Sequence, residues 1–244
     1  MRTKLQRLFA ILDRLEYSLA LDSRILDFGC GAGTTVNAFH DQGFANTVGF
    51  DMRDYLDLRA PEHRSRFRIG FERGGLPFAS DTFDLVISEE VFEHVHDQVP
   101  MWRELHRIMK PGGIAIHVSP GPYSLIEPHN YVPFGGVFAH YWWYKLWAVV
   151  GIRNEFQKKL SAIETARRNT VRFVENLNYI NNSCYEIIWE ELGFDWKWID
   201  QESFDTNSRQ IIRWAGRLNR VFPLICWISR TFVTRRVLLK RKLN

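Results

Sequence analysis

The sequence predicts an α/β domain whose sheet is mainly parallel, and three observations carry that prediction. Short apolar strands alternate with amphipathic helical patterns from about residue 24 to residue 118, the rhythm of βα units joined by right-handed crossovers. The first strand runs directly into a glycine-rich turn, Gly29-Cys-Gly-Ala-Gly33, and a helical stretch follows it. A chain of 244 residues, 45% hydrophobic and 25% charged, can fill one such domain with insertions, and its apolar content argues against disorder.

Leu5, Leu8, Phe9, Leu12, Leu15 and Leu19 recur at helical spacing and predict an amphipathic helix over 3–20. Residues 24–28 read as the first strand, 34–42 as a helix, 47–51 as a second strand and 83–88 as a later one. Val95, Val99, Trp102, Leu105 and Ile108 lie three or four apart, which predicts a single helix over 91–109 ended by Lys110-Pro-Gly-Gly113, with a strand at 114–118 beyond it. After Pro120 the rhythm breaks into Pro, Gly and aromatic residues up to about residue 152. A helix over 154–176, a strand at 192–199 and a last strand at 236–240 complete the prediction.

Three cysteines with no CxxC pair form neither a disulfide framework nor a zinc-ligand spacing, and point to a reducing compartment. Arg7, Asp13, Arg14 and Glu16 interrupt the N-terminal apolar residues, and nowhere do about eighteen apolar residues run together. A cytoplasmic location is the expectation. Charge is uneven: residues 209–244 hold ten Lys+Arg and no acid, leaving 22 bases against 28 acids elsewhere. Trp214, Phe222, Leu224, Ile225, Trp227, Ile228 and Phe232 interleave with those bases. Two arrangements follow: a segment that rests on an anionic membrane surface, or apolar side chains packed on the sheet with the arginines in water.

Asp27 closes the first strand, and Gly29, Gly31 and Gly33 after it allow bare backbone to approach a ligand. Asp51, at the end of the next strand, offers a carboxylate to a ribose diol. The strings ILDFGCGAGT (25–34), VGFDM (48–52), LPFASDTFDLVIS (76–88), VFEHVHD (91–97) and ELHRIMKPGGIAIHVSP (104–120) together resemble the successive motifs of class I S-adenosylmethionine-dependent methyltransferases, most closely the type 11 subgroup. The resemblance covers residues 22–120 and recurs weakly at 192–199 and 236–240. It implies a Rossmann-like sheet with an antiparallel last strand, and S-adenosylmethionine as cofactor. It also implies that Asp27 and the glycines face the methionine end, Asp51 holds the ribose, Met52 packs on adenine, Glu72 meets the adenine amino group, and Ser88 lies near the sulfonium. The loop reads GxGxG, not the GxGxxG of nicotinamide dinucleotide binding.

On the acceptor side, Glu90, Glu93 and His94 are expected to share one face at the start of the 91–109 helix. The EVxEH string is similar to that of ubiquinone-pathway O-methyltransferases and small-RNA 2′-O-methyltransferases, which implies a divalent cation such as Mg²⁺ on Glu90, Glu93, His94 and His129. Without metal, His94 or His129 is the candidate general base; the plainer alternative is that Glu93 and His94 only cap a helix. His117 is expected in the core. The whole chain, 1–244, is expected as one domain, with 22–120 the cofactor-binding core, 121–182 an acceptor-side insertion and 209–235 a basic helical insertion. EPHNYVPF and the late basic segment resemble methyltransferases of bacterial surface-polysaccharide and natural-product pathways. That resemblance implies O-methylation of a saccharide or lipid-linked glycan. The alternatives are a quinone-like or secondary-metabolite acceptor, and a cofactor-binding scaffold without turnover. No RNA-binding module is recognisable, so nucleic acid is not the expected partner.

Overall fold

The computed structural model describes residues 4–55, 61–72, 74–207 and 209–243, with the backbone alone at 61, 62 and 211. The described strands are β1 (Ile25–Phe28), β2 (Thr47–Asp51), β3 (Phe67–Ile69), β4 (Phe83–Glu89), β5 (Met109–Pro120), β6 (Phe194–Trp198) and β7 (Thr234–Arg241). They form one sheet in the order β3-β2-β1-β4-β5-β7-β6. Pairing is parallel from β3 to β5, and the last strand, β7, runs antiparallel between β5 and β6. The Rossmann-like sheet with an antiparallel last strand is the fold the sequence predicts.

Alternation along the central strands divides two cores, because successive side chains leave opposite faces. Ile25, Leu85, Ile87, Ile114 and Ile116 face α1 (Lys4–Arg14) and α2 (Thr34–Asp41), where Leu5, Leu12 and Phe39 meet them. Leu26, Val86, Ala115 and Val237 face α3 (Gln98–Ile108) and α6 (Asn182–Glu191), against Trp102, Leu105, Tyr185 and Trp189. All four residues of β1 are buried, as helices on both faces require. Among the described residues no helix is long and apolar enough to cross a membrane.

Several boundaries differ from the sequence prediction. The first helix stops at Arg14, not residue 20, and its expected start, Thr3, lies outside the described residues. Glu16 turns left-handed (φ 56°), and the amides of Glu16 and Tyr17 donate to the carbonyls of Asp13 and Leu12, a Schellman stop. The helix expected over 91–109 is broken: Phe92–His94 forms one 3-10 turn, the chain extends through 95–97, and α3 starts at Gln98. Asn178 causes the break by donating to the carbonyls of Val95 and His96, while the Gln98 side chain donates to the Phe92 carbonyl. Lys110-Pro-Gly-Gly113 lies inside β5, at an irregularity in its pairing with β4. Strand β3 was not predicted.

In the insertion, the aromatic run forms α4 (Tyr141–Val150), and the helix expected from 154 begins as α5 (Ala162–Asn176), capped by Ser161. The late segment divides into α7 (Asp200–Thr206), α8 (Gln210–Asn219) and α9 (Leu224–Phe232), with Pro223 between the last two. Arg235 belongs to β7, not to the basic helices; it is buried and donates to the Ser119 hydroxyl and the Ile180 carbonyl.

Trp102 ties these layers together, stacked on Phe92 at 3.8 Å and edge-on to Trp189 at 5.5 Å. Trp102→Ala should lower unfolding free energy by about 3–5 kcal/mol, the usual range for deleting a buried aromatic. Urea denaturation of the two proteins checks this, and a loss below about 1 kcal/mol would place Trp102 outside the tightly packed core.

Candidate active site

The three loop glycines all have positive φ, at 77°, 50° and 84° for Gly29, Gly31 and Gly33, but they serve different ends. A Cβ on Gly29 would lie 2.2 Å from the Val91 side chain, and one on Gly33 would lie 2.3 Å from the Phe67 ring. Those two permit close packing. A Cβ on Gly31 would meet nothing within 4 Å, so its bare backbone faces open space at the strand ends. Its amide donates to Asp51 Oδ2 (2.9 Å), and Oδ1 of the same carboxylate accepts from the Arg53 amide (3.0 Å). This cradle suits a nucleoside cofactor: an unobstructed loop, a carboxylate beside it and, next in sequence, the apolar side chain of Met52, 56% exposed. Glu72 is exposed and pairs through its backbone with Gly75. Ser88, expected near the sulfonium, is buried, and its hydroxyl is bonded to His117 Nδ1 at 2.7 Å.

Asp27 borders a cavity of about 120 Å³ between α1 and the strand ends, which Lys4, Thr35 and Glu89 also line. Lys4 Nζ reaches Glu89 Oε2 at 2.5 Å across it. Burial pushes the Asp27 carboxyl up to about 6; Lys4 opposes the shift, and Glu89 and Asp51 add to it.

The acceptor side centres on Glu93, which has no solvent exposure and whose carboxylate oxygens receive no hydrogen bond from another described side chain. His94 Nδ1 lies 2.9 Å from the Asn176 carbonyl, which can only accept, so Nδ1 carries the proton and Nε2 keeps its lone pair. His129 Nδ1 is 2.6 Å from Glu127 Oε1, and the same argument leaves its Nε2 with a lone pair. The two Nε2 atoms face each other at 3.3 Å. Ligand atoms of Glu93, His94 and His129 all lie within 4.8 Å of one another. Two lone pairs and a buried carboxylate converging in this way call for a proton or a cation among them. Burial pushes Glu93 up to about 7 and His94 down. His117 is in the core, as expected; burial holds it near 3 and therefore neutral.

Glu90 does not join this cluster. The helix expected to align it with Glu93 and His94 is absent, and Glu90 sits exposed in a left-handed conformation (φ 57°). His94 likewise caps no long helix. Sequence reasoning also missed Glu127, Tyr179 and Asn176. Glu127 is wholly buried and accepts from the amides of His129 and Asn130, from His129 Nδ1, and from the Tyr179 hydroxyl at 2.9 Å. Its one signal in the sequence is its place two residues before His129 in the EPHN turn. The Asn178 amide donates to the Glu93 carbonyl and fastens the insertion to the 92–94 turn.

Asp51→Ala should weaken S-adenosylmethionine binding roughly ten- to a hundred-fold, the cost of losing charge-assisted hydrogen bonds to a ribose. Calorimetric titration checks this; unchanged affinity would remove Asp51 from the site. Asp27 adds a pH signature. Its folded value, about 6 against 3.8 unfolded, lies above the unfolded one, so its contribution to stability is full below pH 4 and is lost as pH rises through 6. The loss is about 3 kcal/mol. Unfolding curves across that range should flatten in Asp27→Asn, and an identical pH dependence in both proteins would contradict the assignment.

The family model described as a methyltransferase domain matches residues 1–196. The sterol 24-C-methyltransferase of Aspergillus fumigatus is 31% identical over 98 residues, 37% of this chain and 26% of that protein. Malonyl-acyl-carrier-protein O-methyltransferase 1 of Coxiella burnetii is 30% identical over 121 residues, 49% of this chain and 42% of that protein. The chain thus spans well under two thirds of the length of either relative. Among solved structures, the S-adenosylmethionine-dependent methyltransferase of Mesorhizobium loti shares the fold, with a TM-score of 0.55 at 16% identity, over 95% of this chain and 98% of that one. A family match over most of the chain makes the protein a member of the methyltransferase-domain family, and its sheet order and glycine loop are those of the fold it shares with the solved structure.

Proposed function

We propose that the chain methylates a hydroxyl group of a saccharide, with the His94–His129 pair as the group that takes the hydroxyl proton. The observation that carries this reading is the convergence of the two Nε2 atoms, 3.3 Å apart and beside the buried Glu93, with each Nδ1 committed to a protein oxygen. A hydroxyl is a poor nucleophile until its proton leaves, and an imidazole lone pair oriented through its other nitrogen is suited to accept it near neutral pH. When bound, S-adenosylmethionine supplies a methyl group on a positively charged sulfur, transferred by in-line displacement that demands alignment above all. In this chain the Gly31 backbone and Asp51 would hold the donor. Glu127, through Nδ1, would keep the His129 imidazole in the productive tautomer.

The comparisons leave the acceptor atom open, since one relative is named for carbon methylation and the other for oxygen. Support for a saccharide comes from the likeness of EPHNYVPF and the basic segment to polysaccharide-pathway enzymes, and from the place of that string, which presents His129 to His94. Quinone-like and secondary-metabolite acceptors are the competing classes. A second use of the same atoms is favoured by Glu93, whose oxygens have no other side-chain partner: Glu93, His94 and His129 fit a divalent cation, Mg²⁺ or a softer metal such as Mn²⁺ or Zn²⁺. Such an ion would supply Lewis acidity to the acceptor hydroxyl.

Incubation with methyl-labelled cofactor and fractionated bacterial extract should label a glycan, and His94→Ala or His129→Ala should lower turnover by about a hundred-fold or more while cofactor affinity holds. Label confined to a quinone or another metabolite would overturn the saccharide reading. The absence of label in any fraction would favour a scaffold. Chelation decides between the two uses of the cluster: loss of turnover supports the cation, and full activity leaves the imidazoles as base.

A further inference from the structure

The hairpin of α8 and α9 is built with its polar side inward. Gln201 donates to the Gly216 carbonyl and accepts from Asn219, Asn219 accepts from the Cys226 amide, and Arg230 pairs with the buried Asp200 at 2.8 Å. These bonds fasten the inner face. The outer face carries the large apolar groups: Trp214 on α8, Val221 and Phe222 at the bend, and Leu224, Trp227 and Ile228 on α9, each 42–70% exposed. Residues 224, 227 and 228 stand three and four apart and share one side of the helix. Of the seven apolar residues that the sheet-packed alternative would bury, Ile225 and Phe232 are half-buried, while Trp214, Phe222, Leu224, Trp227 and Ile228 are exposed, as are Arg217 and Arg220.

This surface continues into the acceptor-side insertion. Trp227 lies 6.0 Å from the Phe232 ring, and Phe232 lies 6.4 Å from Tyr123. The Leu125 amide donates to the Phe232 carbonyl, and the Phe134 amide donates to the Leu125 carbonyl. From Phe134 the ring contacts pass to Phe138 and Trp143, at the start of α4. That helix in turn exposes Trp142, Leu146, Val149 and Val150 along one side. A contiguous exposed apolar belt of this extent marks an interaction surface on a folded protein.

Charge selects the occupant. Apart from Tyr123 and Leu125, the belt is drawn from two stretches without an acid, residues 128–154 and 209–243, which hold Lys145, Arg153, Arg217 and Arg220, the last paired with Asp205 at 2.8 Å. Among the described residues no acid pairs with Arg217, which is exposed on α8 between Trp214 and Val221. A second copy of this chain docked symmetrically would set bases against bases. We propose that this belt seats the enzyme on an anionic lipid membrane surface, with the α8–α9 bend inserted among the headgroups and the arginines beside lipid phosphates. Apolar groups at interfacial depth with bases around them are the combination such surfaces bind, reversibly and with sensitivity to salt. The inference does not depend on which acceptor is methylated, and membrane seating would favour one carried on a lipid.

Sedimentation with phosphatidylcholine vesicles, with and without phosphatidylglycerol, tests it on the full chain. Binding should require the anionic lipid and weaken as salt rises. The double variant Phe222→Ser, Trp227→Ser should reduce it at least about ten-fold, and Arg217→Glu roughly five-fold, with cofactor affinity unchanged as the control for folding. No binding to anionic vesicles at low salt, or equal binding by wild type and the double variant, would overturn the proposal. So would sedimentation velocity showing a dimer that the double variant dissociates, together with no affinity for vesicles. If the double variant fails to fold, Arg217→Glu and the lipid dependence of the wild type decide the matter.

Discussion

The Glu127 carboxylate, shut off from solvent, accepts hydrogen bonds from two backbone amides, a tyrosine hydroxyl and an imidazole. A buried charge is costly unless its lone pairs are occupied, and these four donors occupy them. The consequences run outward from there. The two amides belong to His129 and Asn130, so the EPHN turn is folded around the carboxylate, and the Asn130 side chain continues the turn by accepting from the Val132 amide. The imidazole is thereby held in one tautomer with its lone pair aimed at His94. The hydroxyl is that of Tyr179, which precedes α6, so the same carboxylate ties the far end of the insertion to its beginning. The outer shell of the site thus sets the direction and protonation of the inner one.

The sheet determines where that cluster stands relative to the cofactor cradle. Parallel strands deliver their carboxyl ends to one edge, and both the glycine loop after β1 and the 92–94 turn after β4 begin there. Val91 is the point of contact between them, because its side chain fills the space that any Cβ on Gly29 would need. Phe92 anchors the second turn from below by stacking on Trp102. Two sites of different chemistry are therefore joined by direct packing.

How much of this could be read from the sequence depended on how local the cause was. The cradle was legible because Asp27, the glycines and the helix after them are neighbours in the chain, and Asp51 follows one βα unit later. The grouping of His94 with His129 was legible only through likeness to other enzymes. Glu90 was misplaced because the helix drawn from Val91 is interrupted by Asn178, a residue more than eighty positions away whose amide group takes the carbonyls of Val95 and His96. Spacing alone cannot register such a competitor. Strand β3 escaped notice because three residues at a sheet edge, two of them exposed, carry no alternation. The α8–α9 segment shows the reverse limit. Its amphipathic pattern was evident, but the pattern does not say which side faces the protein, and here Asp200 and Gln201 of α7 hold part of its polar side inward while Trp214, Phe222 and Trp227 stay exposed.

The central claim is that His94 and His129 present Nε2 to the acceptor, with Nδ1 of each committed to a fixed oxygen. Nitrogen-15 NMR of the two imidazoles, assigned through His94→Gln and His129→Gln, tests it most directly. The account predicts that in the neutral form of both rings Nδ1 carries the proton and Nε2 the lone pair. A spectrum showing the opposite tautomer, with the proton on Nε2 in either ring, would contradict the arrangement on which the proposed chemistry rests.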